Sequence, residues 1–338
     1  MKYVRLGNSG LKVSRLCLGT MNMGSKEWKP WIFDESQSEP IIRHAIDNGV
    51  NFIDLADFYS AGEGEKVVCN VLRRIADRDR MVITTKVGYG TNNDINGSGH
   101  SRKHIMDSID ASLKRMQMDY IDIYMLHYFD TNTPVEETMK ALNDIVLSGK
   151  ARYIGVSTMN TWQLAKILNV CDKNGWVKPI NMQLQLNAAY REEEREMLPF
   201  CMDQGIGVSV FSPLARGILT NDLQSTRNLT DSFTTEMYND KTSLEIAKSV
   251  ARVADNKGCS PAQVAQAWVL SKHEVSSMLV GADTTAQFDS ALMALDTVLT
   301  SDEIYEIERN YTPCDLINDY TSGKRIQRSA RPSKGIFI

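Results

Sequence analysis

Residues 101–130 read SRKHIMDSIDASLKRMQMDYIDIYMLHYFD, a helix pattern that runs through a short polar break into a strand pattern. Ile105, Ile109, Ala111, Leu113 and Met116 share a helical face, and Ser101 precedes them as the expected N-cap. The apolar run Ile121–Leu126 then reads as a strand, and it ends in His127. The same alternation extends in both directions. Short apolar runs occur at Leu16–Leu18, Asn51–Asp54, Met81–Thr85, Tyr153–Val156, Asn181–Leu184, Gly207–Phe211 and Met278–Gly281. Between them lie helical patterns such as PVEETMKALNDIVLSGK, which Pro134 starts and Gly149 with Lys150 stops. Eight strand–helix repeats in 338 residues imply an α/β fold with a parallel sheet closed into a (β/α)8 TIM barrel. A doubly wound open sheet is the alternative. No Pro-, Gly- or Ser-rich linker divides the chain, so the expectation is one barrel domain over residues 1–314 and a tail over 315–338. Residues 88–100 and 224–243 read as polar loops after strands, where a barrel keeps its function.

Bulk composition excludes some partners. The 38 basic and 42 acidic residues leave a net charge of −4, which offers no general attraction to nucleic acid or an anionic membrane. Six scattered cysteines without a C-x-x-C pair suit a reducing compartment. MKYVRLGNSG lacks the apolar segment of a signal peptide, and no apolar run is long enough to span a bilayer. The expectation is a soluble cytoplasmic protein, monomeric or homo-oligomeric, acting on a small molecule. No metal site is expected: His100 and His104 lack a third ligand and read as exposed polar residues at a helix start.

Three strands end in chemistry-bearing residues. FIDLADFY leads to Asp54, Asp57 and Tyr59, ITTK to Lys86, and IYMLHYFD to His127. In a barrel these ends converge on one mouth. An ammonium beside a phenol lowers the phenol's pKa from about 10, and a carboxylate orients the ammonium. Tyr59 and His127 could then bind a carbonyl oxygen as negative charge grows on it, with Tyr59 the general acid. No side chain supplies hydride, so a nicotinamide cofactor would be required. Each residue also has a plain reading: Lys86 a strand cap, His127 a core histidine, Tyr59 a loop anchor.

These residues resemble the aldo-keto reductase superfamily from Tyr3 to about Asn310. RLGNSGLKVSRLCLGTMNMG is similar to the family's L-G-x-S-G-L-x-V-S-x-L-x-L-G-T opening, FIDLADFYSAGEGE to its F-x-D-T-A-x-x-Y-x-x-G-x-x-E block, and the 101–130 stretch to its S-L-x-R-L-x-x-D-Y-I-D-L-Y-x-x-H-x-x-D segment. The resemblance implies a (β/α)8 barrel and a catalytic tetrad on Asp54, Tyr59, Lys86 and His127, with Tyr59 the proton donor and Asp54 the Lys86 partner. Asp57 falls outside the tetrad, as a helix cap or surface acid. The implied nicotinamide contacts are Asp54, Ser157, Thr158 (where Asn is usual), Gln183 and a stacking Phe211. Ser212, Leu214, Arg216 and Gly217 follow along the pyrophosphate, with Thr20 and Met21 in the first loop. Gln185 stands where Glu is common.

In MLVGADTTAQFDS, Gly281, Asp283, Thr284 and Gln287 occupy the segment that carries an NADP-binding Arg in many relatives. A carboxylate repels a 2′-phosphate and accepts hydrogen bonds from ribose hydroxyls, so NAD(H) is expected, against the family default NADP(H). The rival is a distant basic residue, for example in KRIQRSARPSK (324–334), that restores NADP(H) binding. Trp28, Trp31, Phe58, Tyr128 and Phe129 would rim a pocket for a sugar, polyol, aldehyde or ketone. The alternative to an enzyme is a nicotinamide-binding regulatory or sensor subunit with little turnover.

Overall fold

The computed structural model describes residues 1–91, 94–220, 230, 232–238 and 240–316. Eight strands pair in parallel into a closed barrel: β3 (Leu16–Gly19), β4 (Phe52–Asp54), β5 (Val82–Val87), β6 (Ile121–Leu126), β7 (Ala151–Ser157), β8 (Asn181–Gln185), β9 (Gly207–Phe211) and β10 (Val275–Val280). The ring closes by pairing β10 with β3, as Met278↔Leu16 and Val280↔Leu18. Helices wrap the outside, beginning with α1 (Glu35–Asp47), α2 (Glu63–Ile75), α3 (Arg102–Met116), α4 (Val135–Leu147) and α5 (Thr161–Asn174). Among the described residues no helix is long and apolar enough to cross a membrane.

Sequence explains these elements locally. Ser101 caps α3 by accepting a hydrogen bond from the His104 amide. The buried face of α3 differs from the expected one. Small Ser108 and Ser112 join Ile105, Ile109 and Met116, while Ala111 and Leu113 are only part-buried. Period two along the strands divides two cores. Residues pointing outward, such as Ile53, Ile83 and Tyr124, pack beneath the helices. Those pointing inward, Cys17, Phe52, Val82, Ile123, Met125 and Leu279, form a second cluster inside the barrel. Gly155 leaves room for it, since a Cβ there would stand 2.8 Å from the Met125 methyl.

A hairpin not expected from the sequence closes that inner core. β1 (Tyr3–Arg5) and β2 (Lys12–Ser14) pair antiparallel, and Leu6 and Val13 are buried in the inner cluster. Each strand is three residues long and β1 is mostly exposed, so neither shows an apolar run. Gly7 adopts φ +59° where a Cβ would lie 2.3 Å from the Gly205 carbonyl oxygen, so the hairpin seats only with glycine there.

Two expected loops contain more order than the sequence suggested. His100 and His104 are buried rather than exposed, and the His100 ring nitrogen bonds the Val87 carbonyl at 3.2 Å. Burial lowers the His100 imidazole to about 4. Within 224–243 a helix spans Ser232–Tyr238, and a second, Lys241–Lys257, begins before that stretch ends. The tail beyond Leu316, with its basic run 324–334, lies outside the described residues.

Candidate active site

The parity that fills the lower barrel with apolar side chains fills the upper barrel with polar ones. Asp54 stands two residues above Phe52, Lys86 four above Val82, and His127 two above Met125. Registers Asp54↔Thr84 and Lys86↔Met125 set their heights. Tyr59 arrives from the loop after β4, in a 3-10 turn with Ser60 and Ala61 left-handed at φ 51° and 52°. The structure therefore brings Asp54, Tyr59, Lys86 and His127 together.

Lys86 Nζ is the centre of the group. It donates to Asp54 Oδ2 at 2.7 Å, to the Leu55 carbonyl at 2.8 Å and to the Tyr59 hydroxyl at 3.3 Å. All three ammonium donors are used, and Lys86 is 0% exposed. Burial lowers such an amine, but Asp54 and Tyr59 more than offset it, so Lys86 sits above the usual lysine range. The second Asp54 oxygen accepts from Gln183 Nε2 at 2.7 Å, a link that no sequence signal indicated.

Tyr59 departs from the expected direction. Burial of a ring only 8% exposed raises the phenol above an ordinary tyrosine, and the opposing pull of Lys86 does not overcome it. Tyr59 is thus fully protonated at neutral pH. Burial, then Lys86, then His100 push His127 well below an ordinary histidine, so its imidazole is neutral. The Tyr59 and His127 rings meet edge-on, with centroids 5.9 Å apart.

Asp57 is a correction. It is neither a cap nor a surface acid, being 1% exposed with no side-chain partner for either carboxyl oxygen.

The residues expected at the cofactor lie at the ends of β7, β8, β9, β10 and β3, five neighbouring strands that complete the ring left by β4, β5 and β6. Ser157 and Thr158 share a hydroxyl contact at 3.1 Å, and Gln185 bonds the buried Tyr238 hydroxyl. Thr158, Ser212, Ala215 and Arg216 all take left-handed φ between 47° and 56°, and Gly217 takes 101°. Such strain collects where a backbone is shaped for a ligand. Phe211 and Leu214 are part-buried beside them. Thr20 donates to the Asp54 carbonyl at 2.7 Å, while Met21 is part-exposed at the rim. Beyond Gly281, Thr284 caps the helix Thr285–Ala294, and Gln287 accepts from the Asp283 amide at 2.7 Å. Exposed Asp283 accepts from Asn22 Nδ2 at 3.0 Å.

Aromatic rings line one side of the mouth. Trp28 meets Phe58 edge-on at 5.5 Å, Phe58 meets Tyr89 at 5.1 Å, and Tyr89 reaches His127 at 4.8 Å. Tyr89 also stacks on Tyr128 at 4.7 Å. Trp31 packs at 6.3 Å from Trp28, whereas Phe129 pairs with Trp162 at 6.0 Å and packs against the outer core. Tyr89 was not singled out by sequence, since a single tyrosine after a strand has no period. Among the described residues no cluster of His, Cys, Asp or Glu could hold a metal ion.

The model of the Aldo/keto reductase family matches residues 15–311. The chain is 40% identical to a versiconal hemiacetal acetate reductase of Aspergillus parasiticus, covering 93% of this chain and 98% of that protein. It is 38% identical to a putative aryl-alcohol dehydrogenase of Saccharomyces cerevisiae, at 93% and 98% coverage. A putative aryl-alcohol dehydrogenase of Schizosaccharomyces pombe is also 38% identical, at 93% and 97%.

Proposed function

This chain belongs to the aldo/keto reductase family and is an oxidoreductase that interconverts a carbonyl and an alcohol, and from that premise we propose how its residues do so and on what. Our reading is that Tyr59 is the proton donor and acceptor, Lys86 and Asp54 set its field, and His127 orients the substrate oxygen. The observation that carries it is the Lys86 ammonium, wholly buried and shared among Asp54, the Leu55 carbonyl and Tyr59.

Family enzymes use nicotinamide cofactors, and the residues at the mouth suit one. Ser157 and Gln183 offer a hydroxyl and an amide for a carboxamide, Phe211 an aromatic face, and Arg216 with the amino end of the helix Thr285–Ala294 offers donors for phosphates. When bound, that group supplies or takes up the hydride. The chain's own work is the proton. Neutral His127 can donate one N–H to the carbonyl oxygen, and Tyr59 stands beside it carrying a proton. As the oxygen gains charge, the Tyr59 proton moves to it, and Lys86 meets the resulting phenolate through the contact already made at 3.3 Å. In oxidation Tyr59 takes the proton back.

The proposed substrate is an aryl aldehyde or ketone and its alcohol. The ring sequence Trp28, Phe58, Tyr89 leading to His127 supports this, as do relatives named aryl-alcohol dehydrogenases. Trp28→Ala, at the outer end of that row, is expected to raise KM for an aromatic aldehyde about tenfold with kcat nearly kept. An aliphatic aldehyde of similar size serves as the comparison. Equal losses on both would remove the aromatic reading.

For the cofactor we infer a preference for NAD(H). An exposed carboxylate at Asp283, in the segment that carries an NADP-binding Arg in many relatives, supports this reading, and Asn22 bonds that carboxylate at 3.0 Å. The expected ratio of kcat/KM for NADH over NADPH is about ten or more, equivalent to about 1.4 kcal/mol. Asp283→Arg should reverse it. A strong NADPH preference in the wild type would end this reading.

A further inference from the structure

Asp57 lies three residues past Asp54 and two before Tyr59, and its amide donates to the Lys86 carbonyl at 3.2 Å. Its side chain is closed in by four elements. Glu65 faces it from α2, Arg115 from α3, Lys86 from β5, and Tyr124 lies in its field from β6. Each of these is already engaged. Glu65 accepts from Arg115 Nε and from the Thr85 hydroxyl, both at 2.6 Å. Arg115 also donates to Ser112 at 2.9 Å. Lys86 spends its three donors on Asp54, Leu55 and Tyr59. Tyr124 donates to the Ile105 carbonyl at 3.4 Å. No side chain hydrogen-bonds either oxygen of Asp57, and only the neighbouring Phe58 amide bears on the carboxyl from the backbone.

Charge balance leaves Asp57 as the odd group. Lys86 cancels Asp54, and Arg115 cancels Glu65. An ionised Asp57 would be a buried charge without an opposite, far costlier than an unpaired neutral acid. Burial and then Glu65 push its carboxyl well above the usual range, with Arg115, the Phe58 amide and Lys86 opposing more weakly.

We propose that Asp57 is held as the neutral carboxylic acid in the working enzyme, leaving Lys86 to answer to Asp54 and Tyr59 alone. When alkali removes that proton, the new charge opposes Lys86 and makes Tyr59 hold its own proton to higher pH. This coupling rests on Tyr59 being the proton donor; the protonation of Asp57 does not.

The test uses the full chain and Asp57→Asn. A carboxyl protonated in the folded state but ionised in the unfolded one makes the fold less stable as pH rises. The unfolding constant of the wild type should therefore rise relative to Asp57→Asn by up to about tenfold per pH unit, from about pH 4 to the pH where Asp57 ionises. A gap that favours the wild type and stays constant with pH would overturn the proposal. In a Glu193→Gln background, which removes a carboxyl raised to about 7, infrared spectra should hold a carboxylic-acid C=O stretch at neutral pH. That band should fade in alkali and be missing from Asp57→Asn. Its absence at neutral pH overturns the proposal even if Asp57→Asn does not fold. Finally, the alkaline limb of kcat/KM for reduction should shift to lower pH in Asp57→Asn, by on the order of half a unit. If Tyr59→Phe identifies the donor and this limb stays fixed, the coupling is wrong although Asp57 is protonated. If Tyr59 is not the donor, the stability and infrared results stand without it.

Discussion

Tyr59→Phe is expected to lower kcat for carbonyl reduction by about a thousandfold while nicotinamide binding stays within about twofold. The phenyl ring keeps its edge contact with His127 and its place above Lys86, whose Nζ lies 5.0 Å from the ring centroid. Only the hydroxyl, 3.3 Å from that nitrogen, is lost. Losing one acceptor from a satisfied ammonium costs about 1–2 kcal/mol of stability, too little to unfold a barrel of this size. Loss of rate with retained binding therefore isolates the proton step. Steady-state assays and a fluorescence titration of the cofactor measure the two quantities. Full activity in this variant would remove Tyr59 from the mechanism.

The pH profile follows from the same group. Because burial raises the Tyr59 phenol above its ordinary value, the donor form persists through neutral pH and is lost only on the alkaline side. Reduction should be flat near neutrality and fall in alkali. Oxidation needs the phenolate and should rise with pH over that same range. The two largest influences on the phenol oppose each other, burial raising it and Lys86 lowering it, and only the second is legible in the sequence. Lys86, directly after the threonine pair Thr84–Thr85, is legible in the sequence, and it pulls the phenol down. The burial that outweighs it comes from the loop after β4 folding back over the barrel, which no local pattern encodes.

The same division runs through the fold. All eight barrel strands were legible, within three residues at their ends, because each is an apolar run bounded by polar residues. The hairpin at Tyr3–Ser14 was not, since its stability comes from contacts with Gly205 and the inner core rather than from its own composition. Asp54, Tyr59, Lys86 and His127 could be singled out because they sit at strand ends in a recognisable order. Gln183 could be noted as a cofactor residue, but its bond to Asp54 joins positions 129 residues apart. The sequence does not reveal the state of Asp57, because a carboxylate in a polar loop is ordinarily solvated. Its burial depends on α2 and α3 packing across it.

Lys86→Met should cost more than activity. Removing the ammonium leaves the Asp54 carboxylate buried, 1% exposed, with the Gln183 amide as its remaining side-chain donor. Breaking a buried pair on one side costs about 3–5 kcal/mol, much of it the charge left behind. Denaturant unfolding should detect that loss directly, since it is a large part of the stability of a typical domain. The pairing makes a sharper expectation possible. Lys86→Met with Asp54→Asn removes both charges, so the double variant should recover about 2 kcal/mol or more relative to Lys86→Met alone. Neither variant should regain reduction, because the phenol then lacks the cation that stabilises its anion. Additive losses of stability would mean that Lys86 and Asp54 act separately. That outcome would contradict the 2.7 Å contact on which the proposed field at Tyr59 depends.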